Sequence, residues 1–181
     1  VFPFGCTMAT EKEITDPITI YGKSKVIAEK YLLDSNTNHL IIRTTIVGKN
    51  LNKNKIGFAD WIVDSALNQK QIKLFDDQIF TPISIWHLAK ELEVCINSNL
   101  SGVLHIVGKD HITKFEFGKK LCYDLGLTTK NIKKSSINDF IFKAQRSKDQ
   151  TMSSKYYESI IGYDMPSMSD TIDMLVKHFR E

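Results

Sequence analysis

Short apolar strands alternate with longer helical patterns along this chain, and this alternation is the strongest constraint on its fold. Residues 40–45 and 103–107 form continuous apolar runs that are rich in β-branched side chains. Continuous runs of this kind are typical of strands buried on both faces of a parallel sheet. Because helical patterns lie between them, the sequence predicts an α/β fold with parallel strands.

The helical patterns have recognisable starts and ends. Thr113 and Ser84 are suited to cap helices that begin at the next residue, and Gly126 is suited to end the helix that Thr113 opens. The polar segment 49–55 is predicted to be a loop. The predicted helices cover residues 19–34, 58–68, 85–96, 114–125, 154–160 and 169–179, and the predicted strands cover 40–45, 72–75, 103–107 and, more weakly, 132–137.

Composition excludes several classes of protein. A length of 181 residues suits one domain with a sizeable core. The net charge of +3 is too small to predict nucleic-acid binding, and no apolar run is long enough to predict a membrane span. Cys95 and Cys122 lie on apolar helical faces, and the three cysteines lack metal-ligand spacing, so they are expected to be reduced core residues in a cytoplasmic protein.

Tyr21 and Lys25 are the residues that most clearly suggest chemistry. They lie four residues apart on the first predicted helix, so they share one face of it. A neighbouring ammonium group favours the phenolate form of a tyrosine, and such a pair can transfer a proton to or from a carbonyl or hydroxyl group. The same spacing is also common in plain surface contacts, so the pair by itself leaves both interpretations open.

Five segments in order resemble the extended short-chain dehydrogenase/reductase family, and within it the reductases that convert dTDP-4-dehydrorhamnose to dTDP-rhamnose. The likeness covers nearly the whole chain, although no single segment is decisive. The segments are Val1-Phe2 through Asp16-Pro17, Tyr21-Gly22-Lys23-Ser24-Lys25 and Glu29; Ile41 to Gly48; Asp77-Gln78 with Thr81-Pro82 and Leu88-Ala89; Gly102 to Ile106; and Arg146 to Lys155.

This resemblance implies the C-terminal part of a Rossmann-like fold, together with a small substrate-binding lobe. Residues 1–56 and 84–108 would belong to the Rossmann-like sheet, and residues 57–83 and 109–181 to the lobe and closing helices. No Gly-x-Gly occurs among the nine glycines. We therefore expect the N-terminal dinucleotide-binding half, with its glycine-rich turn, to lie before Val1, and we expect the chain alone to be inactive.

The resemblance also implies roles for individual residues. Tyr21 would protonate the C4 carbonyl oxygen of the sugar while hydride arrives at carbon, and Lys25 would hold the nicotinamide ribose of NADP or NAD. The segment Thr44, Thr45 and Ile46 would pass close to the nicotinamide. Arg146 would contact the pyrophosphate or sugar of a nucleotide-sugar substrate, since guanidinium suits phosphate oxygens.

Other residues are interpreted as structural. Arg43, at a strand end, is expected to be an ion-pair partner. Asp76 and Asp77 are adjacent carboxylates without a third acidic ligand, so no metal site is predicted. The five histidines and two tryptophans are expected to be surface, strand or packing residues: His39, His87, His105, His111, His178, Trp61 and Trp86.

Departures from the family pattern leave the exact substrate open. Ser147 stands where the pattern has proline, Val47 where it has tyrosine, and Thr19 where asparagine is common. Two alternatives therefore remain: a 4-epimerase or dehydratase of the same family, and a non-catalytic relative such as the regulatory subunit of methionine adenosyltransferase. A homodimer is also left open.

Overall fold

The computed structural model describes residues 1–3, 5–52 and 54–181. Helices and short strands alternate along these residues, as the sequence predicts. The helices are α1 (Ile20–Leu33), α2 (Phe58–Leu67), α3 (Ile85–Asn97), α4 (Lys114–Asp124), α5 (Lys155–Ile161) and α6 (Met168–Arg180), with a 3₁₀ turn at Ile137–Asp139. The strands are β1 (Leu40–Arg43), β2 (Ile46–Val47), β3 (Ile72–Phe75), β4 (Ile79–Phe80), β5 (Ile83–Ser84), β6 (Gly102–His105), β7 (Ile112–Thr113), β8 (Ile132–Ser135) and β9 (Asp149–Gln150).

Most strand pairs are parallel, which confirms the predicted fold class. The pairs β1–β6, β2–β5 and β3–β8 are parallel, and Leu40 to Arg43 lie opposite Gly102 to His105. β4 lies between β7 and β9 in a three-stranded sheet. Its pairing with β7 is antiparallel, so the prediction of parallel strands does not hold for this pair. Each of these strands has only two residues, too few to form an apolar pattern that sequence periodicity can register.

Several predicted boundaries match because the capping residues act as expected. The hydroxyl of Thr19 accepts a hydrogen bond from the Gly22 amide, and Ser84 and Thr113 cap α3 and α4 in the same way. Gly126 follows α4 with a φ of +76°, a left-handed conformation that favours glycine.

Three predicted strands end earlier in the structure: 40–45, 103–107, which ends at His105, and 132–137. Side-chain hydrogen bonds accompany the early ends of the first and the last. β1 ends at Arg43 and pairing resumes only at Ile46, since Thr45 donates its hydroxyl proton to the Thr81 carbonyl between them. β8 ends at Ser135, because the Ser136 hydroxyl accepts from the Asn138 amide and opens the 3₁₀ turn. The predicted loop 49–55 has no regular structure where it is described, and Lys53 lies outside the described residues.

The buried apolar side chains form two main clusters. The larger one joins α2, α4 and α6 to β3 and β8, and Phe117 and Leu121 are fully buried within it. The second lies between β1, β6, α3 and α5 and includes Leu104 and Tyr157. We propose that the two clusters correspond mainly to the lobe and the Rossmann-like part. Residues of the predicted lobe, Ile83, Tyr157 and Met165, pack into the second cluster, and Val47 of the Rossmann-like part packs into the first.

The N-terminal segment is hydrogen-bonded to the segment between β9 and α5. The Ala9 amide donates to the Thr151 carbonyl, and the Ser153 amide donates to the Ala9 carbonyl. Cys95 and Cys122 are buried free thiols, as predicted. Among the described residues, no helix is both long and apolar enough to cross a bilayer.

Replacing Phe117 by alanine tests the larger core. The Phe117 ring is fully buried and stacks on Phe58 with centroids 5.8 Å apart. We expect Phe117→Ala to lower the free energy of unfolding by about 3–5 kcal/mol, because it leaves a cavity. The matched control is Tyr123→Ala on the same helix, whose side chain is largely exposed and should change stability by only about 0.5 kcal/mol. Urea unfolding measures both; equal losses would contradict this account of the core.

Candidate active site

A cleft of about 690 Å³ opens between the first turns of α1, the end of β1 and the segment before β9. Five of the six residues predicted to form the site line this one cleft: Tyr21, Lys25, Thr44, Thr45 and Arg146. They come from three segments that are far apart in sequence. Ile46, the sixth, is a β2 residue that is half exposed and lies outside the cleft lining.

Tyr21 and Lys25 lie one turn apart on α1 and face the same way. The Lys25 Nζ is 5.3 Å from the centroid of the Tyr21 ring, whose side chain is 73% exposed. Gly22 lets the preceding chain pass close to this first turn, since a Cβ at this position would lie 2.6 Å from the Pro17 Cβ. The phenol and the amine are thus both accessible to a ligand in the cleft.

A buried ion pair connects α1 to β1 at the inner end of the cleft. Arg43 donates from Nη2 and Nε to the two carboxylate oxygens of Glu29, at 2.7 and 3.0 Å. The two side chains are only 9% and 13% exposed. The prediction that Arg43 is an ion-pair partner is therefore confirmed.

His105 extends this ion pair into the sheet. Burial lowers the pKa of His105, which favours the neutral ring. Its Nδ1 lies 3.0 Å from the Ala9 carbonyl and therefore carries the proton, leaving Nε2 to accept from Arg43 at 3.4 Å. Sequence reasoning gave His105 only a structural role, as a surface, strand or packing residue, and gave Glu29 no role of its own. Tyr21, Lys25 and Glu29 follow a four-residue spacing that could have indicated Glu29.

The hydroxyl oxygen of Thr44 has no hydrogen-bond partner among the residues that the structure describes. This Oγ1 atom is buried. Buried hydroxyl groups normally have a partner. Thr44 lines the cleft, but its Oγ1 is shielded from solvent, so the hydroxyl would have to turn toward the cleft to reach a polar ligand.

A second cavity, of about 850 Å³, adjoins the cleft. Arg146 and Gln150 line both spaces, so they mark the junction. The Arg146 guanidinium lies 4.5 Å from the centroid of the Phe142 ring. The walls of the second cavity combine aromatic rings with cations, and they include Trp61, Phe75, Phe140, Phe142 and Lys114.

Sequence reasoning missed this aromatic cavity. Trp61 was expected to be a packing residue, whereas it lies on the cavity wall with 38% of its surface exposed. Phe140 and Phe142, shortly before Arg146, were the available signal, because two aromatic side chains in a polar segment are unusual for a solvated loop. Trp86, by contrast, stacks on His178 with ring centroids 3.8 Å apart and does pack within the fold.

Asp77 anchors the segment that carries Arg146 at both of its ends. Its carboxylate accepts hydrogen bonds from Ser136 Oγ at 2.7 Å, the Ile137 amide at 2.8 Å and Lys148 Nζ at 3.0 Å. Burial opposes its ionisation, but these donors outweigh burial and lower the pKa of Asp77 to about 2. Asp77 thus has a structural use, and the residues that the structure describes contain no cluster of three or more acidic, histidine or cysteine ligands for a metal.

Fold and cleft together define a member of the extended short-chain dehydrogenase/reductase class. The family described as the RmlD substrate binding domain matches residues 4–181, and the chain belongs to this family. A probable low-salt glycan biosynthesis reductase of Haloferax volcanii is 26% identical and aligns with 91% of this chain. A dTDP-4-dehydrorhamnose reductase of Sinorhizobium fredii is 24% identical and aligns with 92%. The chain spans 56% and 58% of the length of these two relatives.

Solved structures agree with this fold. The crystal structure of a dTDP-4-dehydrorhamnose reductase from Bacillus anthracis in complex with NADP is similar with a TM-score of 0.88 at 24% identity. The comparison covers 98% of this chain and 62% of that one. The reductase from Yersinia enterocolitica gives a TM-score of 0.84 at 25% identity, over 97% of this chain and 62% of that one. The predicted family and fold class are thereby confirmed.

Asp77→Asn tests the anchoring of the Arg146 segment through pH. Because the folded pKa of about 2 lies below the usual unfolded value near ~3.9, the carboxylate stabilises the fold fully above about pH 5 and progressively less as pH falls toward about 2. We expect Asp77→Asn to lower the free energy of unfolding by about 1–2 kcal/mol near neutral pH, and by less near pH ~3.

Urea titrations at both pH values measure this difference. The control is Asp64→Asn, which weakens a largely exposed pair with Lys70 and should cost only about 0–1 kcal/mol. A destabilisation by Asp77→Asn that grows as the pH falls would contradict the proposed anchoring.

Proposed function

We propose that the complete protein carrying this chain reduces the 4-keto group of a nucleotide-linked 4-keto-6-deoxysugar with NADPH or NADH, as a dTDP-4-dehydrorhamnose reductase does. The observation that carries this proposal is the convergence of Tyr21, Lys25, Thr44 and Arg146 on one cleft. The printed names of the relatives support it, since both are reductases and one acts in glycan biosynthesis. Related structures solved with NADP or NAD bound support the choice of cofactor.

Tyr21 is the proton donor in this proposal. Its exposed hydroxyl would donate to the C4 carbonyl oxygen of the sugar, so that the product leaves as an alcohol. Lys25, one helical turn away, would bind the nicotinamide ribose and stabilise the phenolate that remains. The bound nicotinamide cofactor supplies the hydride. Thr44 and Thr45, at the carboxyl end of β1, would contact the nicotinamide side of the cleft.

The substrate would span the two adjoining spaces. The reacting sugar would occupy the cleft beside Tyr21, and the base of the nucleotide would stack in the aromatic cavity near Phe142. Arg146 lies at the junction, where the diphosphate linking sugar and nucleoside would fall. A guanidinium group can bind such phosphate oxygens in a bidentate manner.

Tyr21→Phe tests the proton donor directly. We expect kcat to fall by about 10²–10⁴-fold in the complete protein, because removing the hydroxyl removes the general acid while leaving the ring. The measurement is NADPH oxidation with the dTDP-linked 4-keto-6-deoxysugar, followed by absorbance. Tyr31→Phe is the matched control, since this tyrosine is on the same helix, is 80% exposed and lies outside the cleft.

Two results would reject the proposed function. One is full activity of Tyr21→Phe, and the other is the absence of NADPH oxidation by the wild-type complete protein. The second result, combined with intact binding of the nucleotide-sugar, would favour a non-catalytic binding protein.

Arg146→Met tests the substrate contact separately from the chemistry. Because the guanidinium binds the diphosphate in both ground and transition states, its loss should raise KM by about tenfold or more and leave kcat nearly unchanged. Lys143→Met removes a charge from the same segment at an exposed position outside both cavities, and it should leave KM within about twofold. A KM that does not respond to Arg146→Met would show that the diphosphate lies elsewhere.

A further inference from the structure

Lys114 is a cation held against aromatic rings without an acidic partner among the described residues. Its Nζ lies 3.3 Å from the centroid of the Phe80 ring and 4.8 Å from that of the Phe58 ring. Phe80 is almost completely buried. Lys114 also lines the aromatic cavity, yet the function proposed above gives it no role.

The three-stranded sheet places Lys114 and the junction residue Gln150 on opposite sides of its central strand, and both line the aromatic cavity. On the central strand, Phe80 pairs with Ile112 of β7 on one side and with Gln150 of β9 on the other. Lys114 follows β7 directly, and Gln150 lines both cavities. Lys114 and the junction residue Gln150 therefore flank the same phenylalanine.

The carboxylates on the neighbouring elements are engaged by other groups. They include Asp60 of α2, which accepts from the Gly57 amide; Asp64 of α2, paired with Lys70; Asp76 after β3, paired with Lys134; Asp77 before β4, paired with Lys148; Glu116 of α4, bonded to Thr113; Asp124 of α4, paired with Lys120; and Asp149 of β9, bonded to Thr151. The other charged side chains lining the aromatic cavity are cations, Lys70, Lys73 and Arg146. Burial lowers the pKa of Lys114 to about 7, with no ionic contact opposing the effect.

We propose that Lys114 binds the diphosphate of the nucleotide-sugar and takes up a proton as the ligand enters, so that substrate affinity falls as the pH rises. This inference rests on the proposed function, because it assumes that a diphosphate lies at the junction. An anion placed beside a desolvated amine favours its charged form. Below about pH 7 the amine already carries its proton, and binding requires no uptake. Above this value the amine must take up a proton from the solvent as the ligand binds, and affinity falls by up to about tenfold per pH unit until the pKa of the complex is reached.

The test is calorimetric titration of the complete protein with dTDP-glucose from about pH 6 to about pH 9. This probe has a diphosphate diester that does not titrate in the range, and it has no 4-keto group to react. Two buffers of different ionisation enthalpy report the proton uptake. We expect Kd to be at least about tenfold weaker at pH ~9 than at pH ~6, with uptake approaching one proton near pH ~8.

Three variants separate Lys114 from other sources of pH dependence. Lys114→Met should bind weakly throughout, with no pH dependence and no proton uptake. Lys114→Arg keeps a permanent charge and should retain tight binding at pH ~9, also without uptake. Lys119→Met is the matched control: its amine lies 5.6 Å from the Phe115 ring centroid on the same helix but outside the cavity, so it should keep the wild-type profile.

The two hypotheses fail in different ways. Binding of dTDP-glucose with the wild-type pH dependence and proton uptake in Lys114→Met or in Lys114→Arg would overturn the role of Lys114 while leaving the proposed function intact. Failure of the wild-type protein to bind dTDP-glucose at any pH would reject the proposed function and the role of Lys114 together. Thermal unfolding checks the fold, and Lys114→Met should unfold no earlier than wild type because it removes a buried amine. If Lys114→Met does unfold earlier, its binding data are set aside, and the binding profile of Lys114→Arg alone tests the role of Lys114.

Discussion

The ion pair between Arg43 and Glu29 determines how the cleft is built. Helix α1 carries Tyr21 and Lys25, yet Gly22 is its only buried residue. Apolar packing therefore does little to fix this helix, and the main link to β1 is a bidentate contact between two nearly buried side chains. A buried ion pair adds little net stability over an apolar alternative, but losing one partner costs about 3–5 kcal/mol. Its contribution is thus to hold one orientation of α1, the orientation in which the phenol and amine face the cleft.

Short strands decide how the two cavities meet. β4, β7 and β9 have two residues each, and they bring together segments that lie more than thirty residues apart along the chain. Such a sheet gains little from its own ladder, so side-chain anchors such as Asp77 must fix the intervening segment. Because Asp77 binds residues both before and after Arg146, the guanidinium remains at the junction even though its side chain is exposed. The placement of this exposed arginine therefore depends on a carboxylate in another part of the chain.

Much of the local structure was predictable, because caps and periodicity act over a few residues. The strand Ile72–Phe75 and the start of α3 after Ser84 match the prediction for this reason. The family resemblance and the four-residue spacing identified Tyr21 and Lys25, which do share the cleft. Contacts that depend on the register between parallel strands could not be predicted from the sequence. His105 contacts Arg43 only because β1 and β6 pair in the register that places these two residues opposite each other. The aromatic cavity was missed for a similar reason, since its walls come from several segments that are far apart in the sequence.

Two residues with different electrostatic properties, Arg146 and Lys114, line the aromatic cavity. Arg146 is exposed and cationic, so it can attract an anion before contact. Lys114 is largely desolvated against Phe80, which disfavours its charged form while the cavity is free of ligand. An entering diphosphate offsets the cost of charging the amine, because the new ion pair forms in the low dielectric that made the charge unfavourable. Under the proposed function, Arg146 would thus favour encounter, whereas Lys114 would discriminate for ligands that carry a negative charge fully into the junction.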